Sequence, residues 1–394
     1  MKKLLIGATF LTAIVGLNLT AGALERQAQN TLVEAPRFEV DPMWPKPMPN
    51  GWLLAETIGV GIDARDHVWI VHRSDKLSAD EAGAAQNPPT ASCCRPAPPV
   101  LEFDTDGTLL RSWGGPGQGY DWPISNHGIF VDHKGIVWIG GNGGSNGGKG
   151  DGQILKFTQD GKFVAQYGSA QQTQQAASND TTHFGRVAKI FVDPRANEAY
   201  VADGYLNKRV AVIDADTGAF KRYWGAYGNK PDDTNMGAYD PDAPLIQQFR
   251  SPVHCADLSV DNLVYVCDRP NNRIQVFTRE GKFVKEQQIA KRTGGDGSIW
   301  DVAFSKDPQQ KYLFVADGKN ERIYVLVRET LEVLTNFGDG GRQPGQFFAV
   351  HSIVTDSKGN IYTTETYEGR RLQKFVYKGI GKVPRTQGVV WPGK

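Results

Sequence analysis

Gly128-Ile-Phe-Val-Asp132 followed by Ile136-Val-Trp-Ile139 is an apolar strand ending in Asp, a short turn, and a second apolar strand carrying an aromatic. The phrase recurs along the chain. It reads Gly59-Val-Gly-Ile-Asp63 with Val68-Trp-Ile-Val71, and Lys189-Ile-Phe-Val-Asp193 with Ala199-Tyr-Val-Ala202. It reads again as Ala256-Asp-Leu-Ser259 with Leu263-Val-Tyr-Val266, and Asp301-Val-Ala-Phe-Ser305 with Tyr312-Leu-Phe-Val-Ala316. The sixth copy is Ser352-Ile-Val-Thr-Asp356 with Asn360-Ile-Tyr-Thr363. Each pair is followed by two further strand-like runs, and Asp106-Gly107, Asp160-Gly161 and Glu280-Gly281 supply the left-handed positions of tight hairpins. Six four-stranded units with no helical period between them predict an all-β, six-bladed propeller. The sixth unit has three strands, ending at Arg371–Tyr377. Phe38-Glu-Val40 near the N-terminus is the candidate for its outer strand, and closing the ring this way removes an exposed sheet edge.

Composition agrees. The 45 glycines and 22 prolines favour many turns, and charged residues make up 22% of the chain. Lys plus Arg number 44 against 43 Asp plus Glu, so no basic face supports nucleic-acid binding. Residues 1–23 read as a secretory signal. Lys2 and Lys3 lead an apolar run from Leu4 to Leu17, and Ala21-Gly22-Ala23 offers a cleavage site. The run is too short and too interrupted to span a bilayer, so no stable membrane insertion is expected after cleavage. The expected organisation is signal 1–23, a ring-closing segment 24–54, the propeller 55–380 and a tail 381–394. A secreted or periplasmic product of a bacterium is expected. Its compartment would permit disulfides, and Cys255 and Cys267 are placed to bridge neighbouring strands. Cys93-Cys94, in the Pro-rich stretch Pro88–Pro99, leaves three fates open: a vicinal ring, outward pairing or free thiols.

The seven histidines carry the functional signal. His127, His254 and His351 each stand five residues before the end of an innermost strand, in units two, four and six. In the alternate units that position holds Ile58, Ala188 and Trp300. Alternate blades of a six-bladed ring lie a third of a turn apart, so three imidazoles would converge on the axis. Three neutral imidazoles make a facial set for Zn²⁺ with one position left for water or substrate. His67, His72, His133 and His183 are read as solvated or supporting. Arg73 leaves the second strand of unit one and Tyr205 that of unit three, both onto the face where the histidines enter. There Arg73 would offer a carboxylate a bidentate fork, or assist Tyr205 as a base.

Two further resemblances follow from these residues. Val201-Ala-Asp-Gly-Tyr-Leu-Asn-Lys-Arg209 and Cys267-Asp-Arg-Pro-Asn-Asn-Arg-Ile-Gln-Val-Phe277 resemble NHL-type propellers. Val71-His72-Arg73-Ser-Asp75, Asp203-Gly-Tyr205-Leu-Asn207-Lys-Arg209, His127, Val253-His254 and Val350-His351 together resemble peptidyl-α-hydroxyglycine α-amidating lyase. The resemblance implies a zinc enzyme that splits a peptidyl-hydroxyglycine into an amide and glyoxylate. Arg73 and Tyr205 would be catalytic, and the three histidines would be zinc ligands. It also implies a structural Ca²⁺ near the axis, held by the backbone carbonyls of Val60 and Ile129 and by an Asp directly after the third histidine. That last position is Ser352 here. The family's disulfide positions are not reproduced, and the loop Ser74–Pro99 has no counterpart in it.

The leading reading is therefore a secreted zinc lyase acting on an α-hydroxyglycine-like substrate, small or peptidyl. A metal-dependent hydrolase of the lactonase-propeller kind would use the same open site with hydroxide as nucleophile. A non-enzymatic NHL binding module would not require three histidines in one register.

Overall fold

The computed structural model describes residues 32–144, 150–170 and 178–393. The signal-like segment lies outside them. Six four-stranded antiparallel sheets follow one another along the chain. Their inner strands are Glu56–Ile62, Asn126–Val131, Val187–Asp193, Val253–Leu258, Asp301–Phe304 and Val350–Thr355. This is the six-bladed β-propeller that the repeats predict. None of its described helices is long and apolar enough to cross a membrane.

The recurring Asp and the recurring aromatic are two halves of one device. Asp132 closes the first turn of blade two by accepting from the backbone N–H of Lys134 and Ile136. Its other oxygen accepts from the indole of Trp138, 2.8 Å away on the second strand. Asp63 does the same with Arg65, His67 and Trp69, and Asp356 with Lys358, Asn360 and Tyr362. A carboxylate that ends the strand thus fixes both the turn and the packing of the buried aromatic. At the other hairpin of blade two, Gly161 has φ +76°, and a Cβ there would strike the indole of Trp113 in blade one.

Apolar side chains fill the space between every pair of neighbouring blades. Six clusters result, from Trp69 with Ile129 between blades one and two round to Tyr362 with Ile70 between blades six and one. Leu32–Asp41 pairs with the last strand and is the outermost strand of blade six, so chain start and chain end close the ring. The last strand runs Leu372–Pro384, beyond the Tyr377 end expected from sequence. The extension exists because Leu32–Pro36 pairs with Ile380–Pro384 after a bulge between Pro36 and Phe38. Residues assigned to a tail beginning at 381 therefore start as strand. The remainder lies back on blade five, where Thr386 bridges Asn336 and Val390 accepts from the N–H of Val40.

Cys255 and Cys267 are directly paired across blade four and joined by a disulfide. Cys93 and Cys94 form a vicinal disulfide, which decides among the three fates left open above. The Ser74–Pro99 loop that bears it is anchored by His72, which is fully buried rather than solvated. His72 Nε2 donates to the Pro98 carbonyl at 2.9 Å, and Nδ1 accepts from the Ala55 N–H at 3.2 Å.

The closing strand generates the first prediction. Phe38 and Val40 are buried among Phe314, Phe337 and Phe375. Phe38→Ala should cost about 3–5 kcal/mol, and deletion through Val40 should cost more. Denaturant unfolding measures both; an unchanged midpoint in the truncated chain would contradict closure by this strand. Burial of His72 gives a second. Its pKa is lowered from 6.5 to about 4, chiefly by desolvation. Between those values the unfolded chain binds a proton that the folded chain refuses. Stability contributed by neutral His72 is therefore present above 6.5 and lost as pH falls towards 4, at about 1.4 kcal/mol per pH unit. His72→Gln should flatten the pH dependence of unfolding in that window.

Candidate metal centre

His127, His254 and His351 enter from the inner strands of blades two, four and six and meet on the axis. Their ring centroids lie 4.8 to 5.0 Å apart. All three are buried. The residues that hold their register position in the odd blades turn out to aim them. His127 Nδ1 bonds the carbonyl of Ala188 at 2.6 Å, His351 Nδ1 that of Ile58 at 2.7 Å, and His254 Nδ1 that of Trp300. A carbonyl can only accept, so each Nδ1 carries the proton and each Nε2 lone pair faces inward. Burial, followed by nearby cationic groups, holds all three pKa values well below 6.5. The imidazoles are therefore neutral at pH 7, the form that binds metal. Their ligand atoms lie within 4.8 Å of one another, a donor set that fits a transition metal such as zinc.

Tyr205 sits directly over this set. Its hydroxyl is 2.8 Å from His127 Nε2 and 3.1 Å from His254 Nε2. A buried ion pair places it there. Asp203 ends the second strand of blade three and Arg209 begins the third, with Nε 2.8 Å from the carboxylate and both side chains fully buried. Asp203 also takes the N–H of Gly185 and the amide of Asn207, so the intervening turn has one shape. Blade four repeats the clasp with Asp268, Asn271 and Arg273. Its turn presents Arg269. The two clasping arginines also bond carbonyls of neighbouring loops, Ser178 and His183 for Arg209, Ile246 and Gln248 for Arg273. The loops that carry Ser178, His183, Ile246 and Gln248 are thereby tied to the turns that present Tyr205 and Arg269.

Arg269 was missed in the sequence, although Asp268-Arg269 leaves its strand as Asp203-Gly-Tyr205 does. Its guanidinium lies 4.6 Å from the Trp300 ring, and one nitrogen is 3.4 Å from the Tyr205 hydroxyl. Its Nε–H is buried without an acceptor among the described residues. Arg73 lies elsewhere on the rim. It pairs with Glu56 at 2.6 Å, donates to Asn142, and donates to the carbonyl of Asn126 beside His127. The arginine hydrogen-bonded to Tyr205 is Arg269, while Arg73 pairs with Glu56, opposite it on the first strand, and adds its charge to the field that keeps His127 and His351 neutral. A cavity of about 350 Å³ lined by Lys208, Arg250, Ser251, Arg269 and Asp296 opens beside Tyr205. Ser251 joins the two by donating to the Tyr205 carbonyl.

Val60 and Ile129 line a narrow space of about 10 Å³ on the other side of the histidines, with Ser352, Lys189 and Asp301. The Ser352 hydroxyl donates to the carbonyl of Ile58, and Asp301 is engaged by Lys189. These residues do not fit Ca²⁺, which needs six or more oxygen ligands.

With this geometry in hand, likeness to known proteins can be placed on it. Residues 253–277 match the family model of the NHL repeat. That span is the inner, second and third strands of blade four and includes His254 and Arg269. The chain is 26% identical over 362 residues to NHL repeat-containing protein 3 of Mus musculus, covering 87% of this chain and 85% of that protein. It is 24% identical over 274 residues to peptidyl-glycine alpha-amidating monooxygenase B of Xenopus laevis, covering 66% of this chain and 27% of that protein. The match therefore spans about a quarter of the amidating monooxygenase. Among solved structures, virginiamycin B lyase from Staphylococcus aureus superimposes with a TM-score of 0.47 at 15% identity, covering 91% of this chain and 94% of that one.

The metal prediction follows. Purified protein should hold one tightly bound transition metal per chain by elemental analysis. His127→Ala, His254→Ala and His351→Ala should each lose it while the strand signal in circular dichroism persists. Full occupancy in all three variants would contradict a three-histidine centre.

Proposed function

We propose that this protein is a metal-dependent carbon–nitrogen lyase that cleaves an α-hydroxyglycine-like substrate into an amide and glyoxylate. The observation that carries the reading is one constellation. Three neutral Nε2 atoms converge beneath the Tyr205 hydroxyl, with the buried, under-partnered guanidinium of Arg269 alongside. Similarity to the amidating monooxygenases, at 24% identity over 274 residues, supports it.

A zinc ion held by the histidines would supply Lewis acidity towards a substrate oxygen. The chain's own groups do the rest. Arg269 presents its free Nε–H and neighbouring donors to the substrate carboxylate, orienting the hydroxyl-bearing carbon towards Tyr205. Tyr205 gives its phenolic proton to solvent as the substrate binds, and the phenolate oxygen then takes the hydroxyl proton. The C–O bond becomes a carbonyl as the C–N electron pair leaves with nitrogen, and the proton returns to that nitrogen. Atoms balance: R–CO–NH–CH(OH)–COO⁻ gives R–CO–NH₂ and OHC–COO⁻. Arg73, tied to Asn126, holds the wall beside His127. The cavity beside Tyr205 receives the remainder of a peptide or small-molecule substrate. The same reading has the chain exported through residues 1–23 and its disulfides formed outside the cytoplasm.

The test supplies a peptidyl-α-hydroxyglycine to metal-loaded protein and follows glyoxylate. Tyr205→Phe keeps the ring and should lower kcat about 10²–10⁴-fold with metal content unchanged. Arg269→Lys keeps charge but loses the planar fork and should raise KM. Wild-type protein with full metal and no glyoxylate would refute the lyase reading. Glyoxylate released equally fast by Tyr205→Phe would refute the role given to Tyr205.

A further inference from the structure

Directly after the histidine register, the six inner strands carry Gly59, Gly128, Lys189, Cys255, Asp301 and Ser352. This layer is the floor of the metal centre. Two of its members are glycines because a Cβ on Gly59 or Gly128 would lie 2.6 Å from the carbonyl of His127 or Ala188. The layer's one carboxylate is on blade five. The carboxylate that shares the narrow space with Val60 and Ile129 is Asp301, already paired with Lys189, and Ser352 supplies only a hydroxyl engaged with Ile58.

Lys189 takes up the position instead. Its ammonium is 2.6 Å from Asp301 and 3.0 Å from Asp257, two residues beyond Cys255 on blade four. Asp301 in turn accepts from the N–H of Ile353 on blade six, so one cluster ties four consecutive inner strands. Lys189, with Val60 and Ile129, lines both the narrow space under the histidines and the cavity of about 380 Å³ at the opposite mouth of the axis. Burial opposes the charge on Lys189, but the two carboxylates outweigh it and hold its pKa above the usual lysine range.

We propose that the Lys189 ammonium is the resident cation of the propeller axis, and that this axis needs no calcium. The inference is independent of the lyase reading. It stands on the disagreement between these residues and the calcium site that the family resemblance implies. Its consequence for the metal centre is that the floor beneath the histidines is covalently part of the chain. Transition metal can then be removed and replaced without loosening the ring.

The experiment uses the full chain and Ca²⁺ itself as probe. Wild-type protein dialysed into calcium-stripped buffer should contain no calcium by elemental analysis, and millimolar calcium should leave its melting temperature unchanged. Lys189→Met leaves Asp257 and Asp301 without a counter-charge. It should melt well below wild type in stripped buffer and regain about 4 °C in millimolar calcium, the order expected when ligand stands a hundredfold above its Kd. Calcium retained by wild type at one equivalent would overturn the proposal. So would a wild-type melting temperature that rises with calcium, or Lys189→Met melting like wild type with no response. If Lys189→Met does not fold in either buffer, the double variant Lys189→Met, Ser352→Asp decides. It returns a carboxylate beside the Val60 and Ile129 carbonyls and should fold with one bound calcium; failure to bind calcium would overturn the proposal.

Discussion

Each imidazole on the axis is aimed by a backbone carbonyl of the adjoining blade: Ile58 for His351, Ala188 for His127, Trp300 for His254. The site geometry is therefore a property of ring closure. Moving one blade by a residue would withdraw a carbonyl from the neighbouring histidine, leave a buried N–H unpaired and turn Nε2 off the axis. Six apolar interfaces between blades hold that register, and the strand Leu32–Asp41 completes the sheet that joins the last blade to the first.

Buried ion pairs in this molecule are instruments of position. Asp203 with Arg209 and Asp268 with Arg273 are fully removed from solvent. The desolvation such pairs suffer offsets most of their Coulomb attraction, so their worth lies elsewhere. Each pins the exit of a second strand to the start of a third and leaves one outcome for the turn between. Those two turns present Tyr205 and Arg269. The same motif thus stabilises little by itself but delivers the Tyr205 phenol and the Arg269 guanidinium that meet over the histidines. On the layer below, the Lys189 ammonium sits between the Asp257 and Asp301 carboxylates, which would otherwise repel one another.

Much of this was legible in the amino-acid order because it is periodic. An Asp that closes a turn and an aromatic that packs against it are local devices, and repetition of the pair counted the blades. The alternation of His127, His254 and His351 with Ala188, Trp300 and Ile58 named the convergent histidines, since equal places in repeats are equal places around a ring. The longer last strand was not legible, because its extension depends on pairing with Leu32–Pro36 from the far end of the chain. His72 gave no sign of burial, because the Ser74–Pro99 loop that covers it has no period to read.

Sequence by itself determined the number of blades, the strand that closes them and the three residues that reach the axis, all consequences of patterns a few residues long. Only the tertiary structure decided which charges meet. Arg73 and Arg269 leave equivalent strands onto the same face, and nothing in their local sequence ranks one above the other. Glu56 captures the first, while Trp300, Tyr205 and the Asp296 carboxylate, 3.5 Å away, receive the second. Lys189 likewise reads as an ordinary strand residue until blades four and five bring Asp257 and Asp301 to its ammonium. Ionic partners are chosen by distance in space, and a sequence states distance only along the chain.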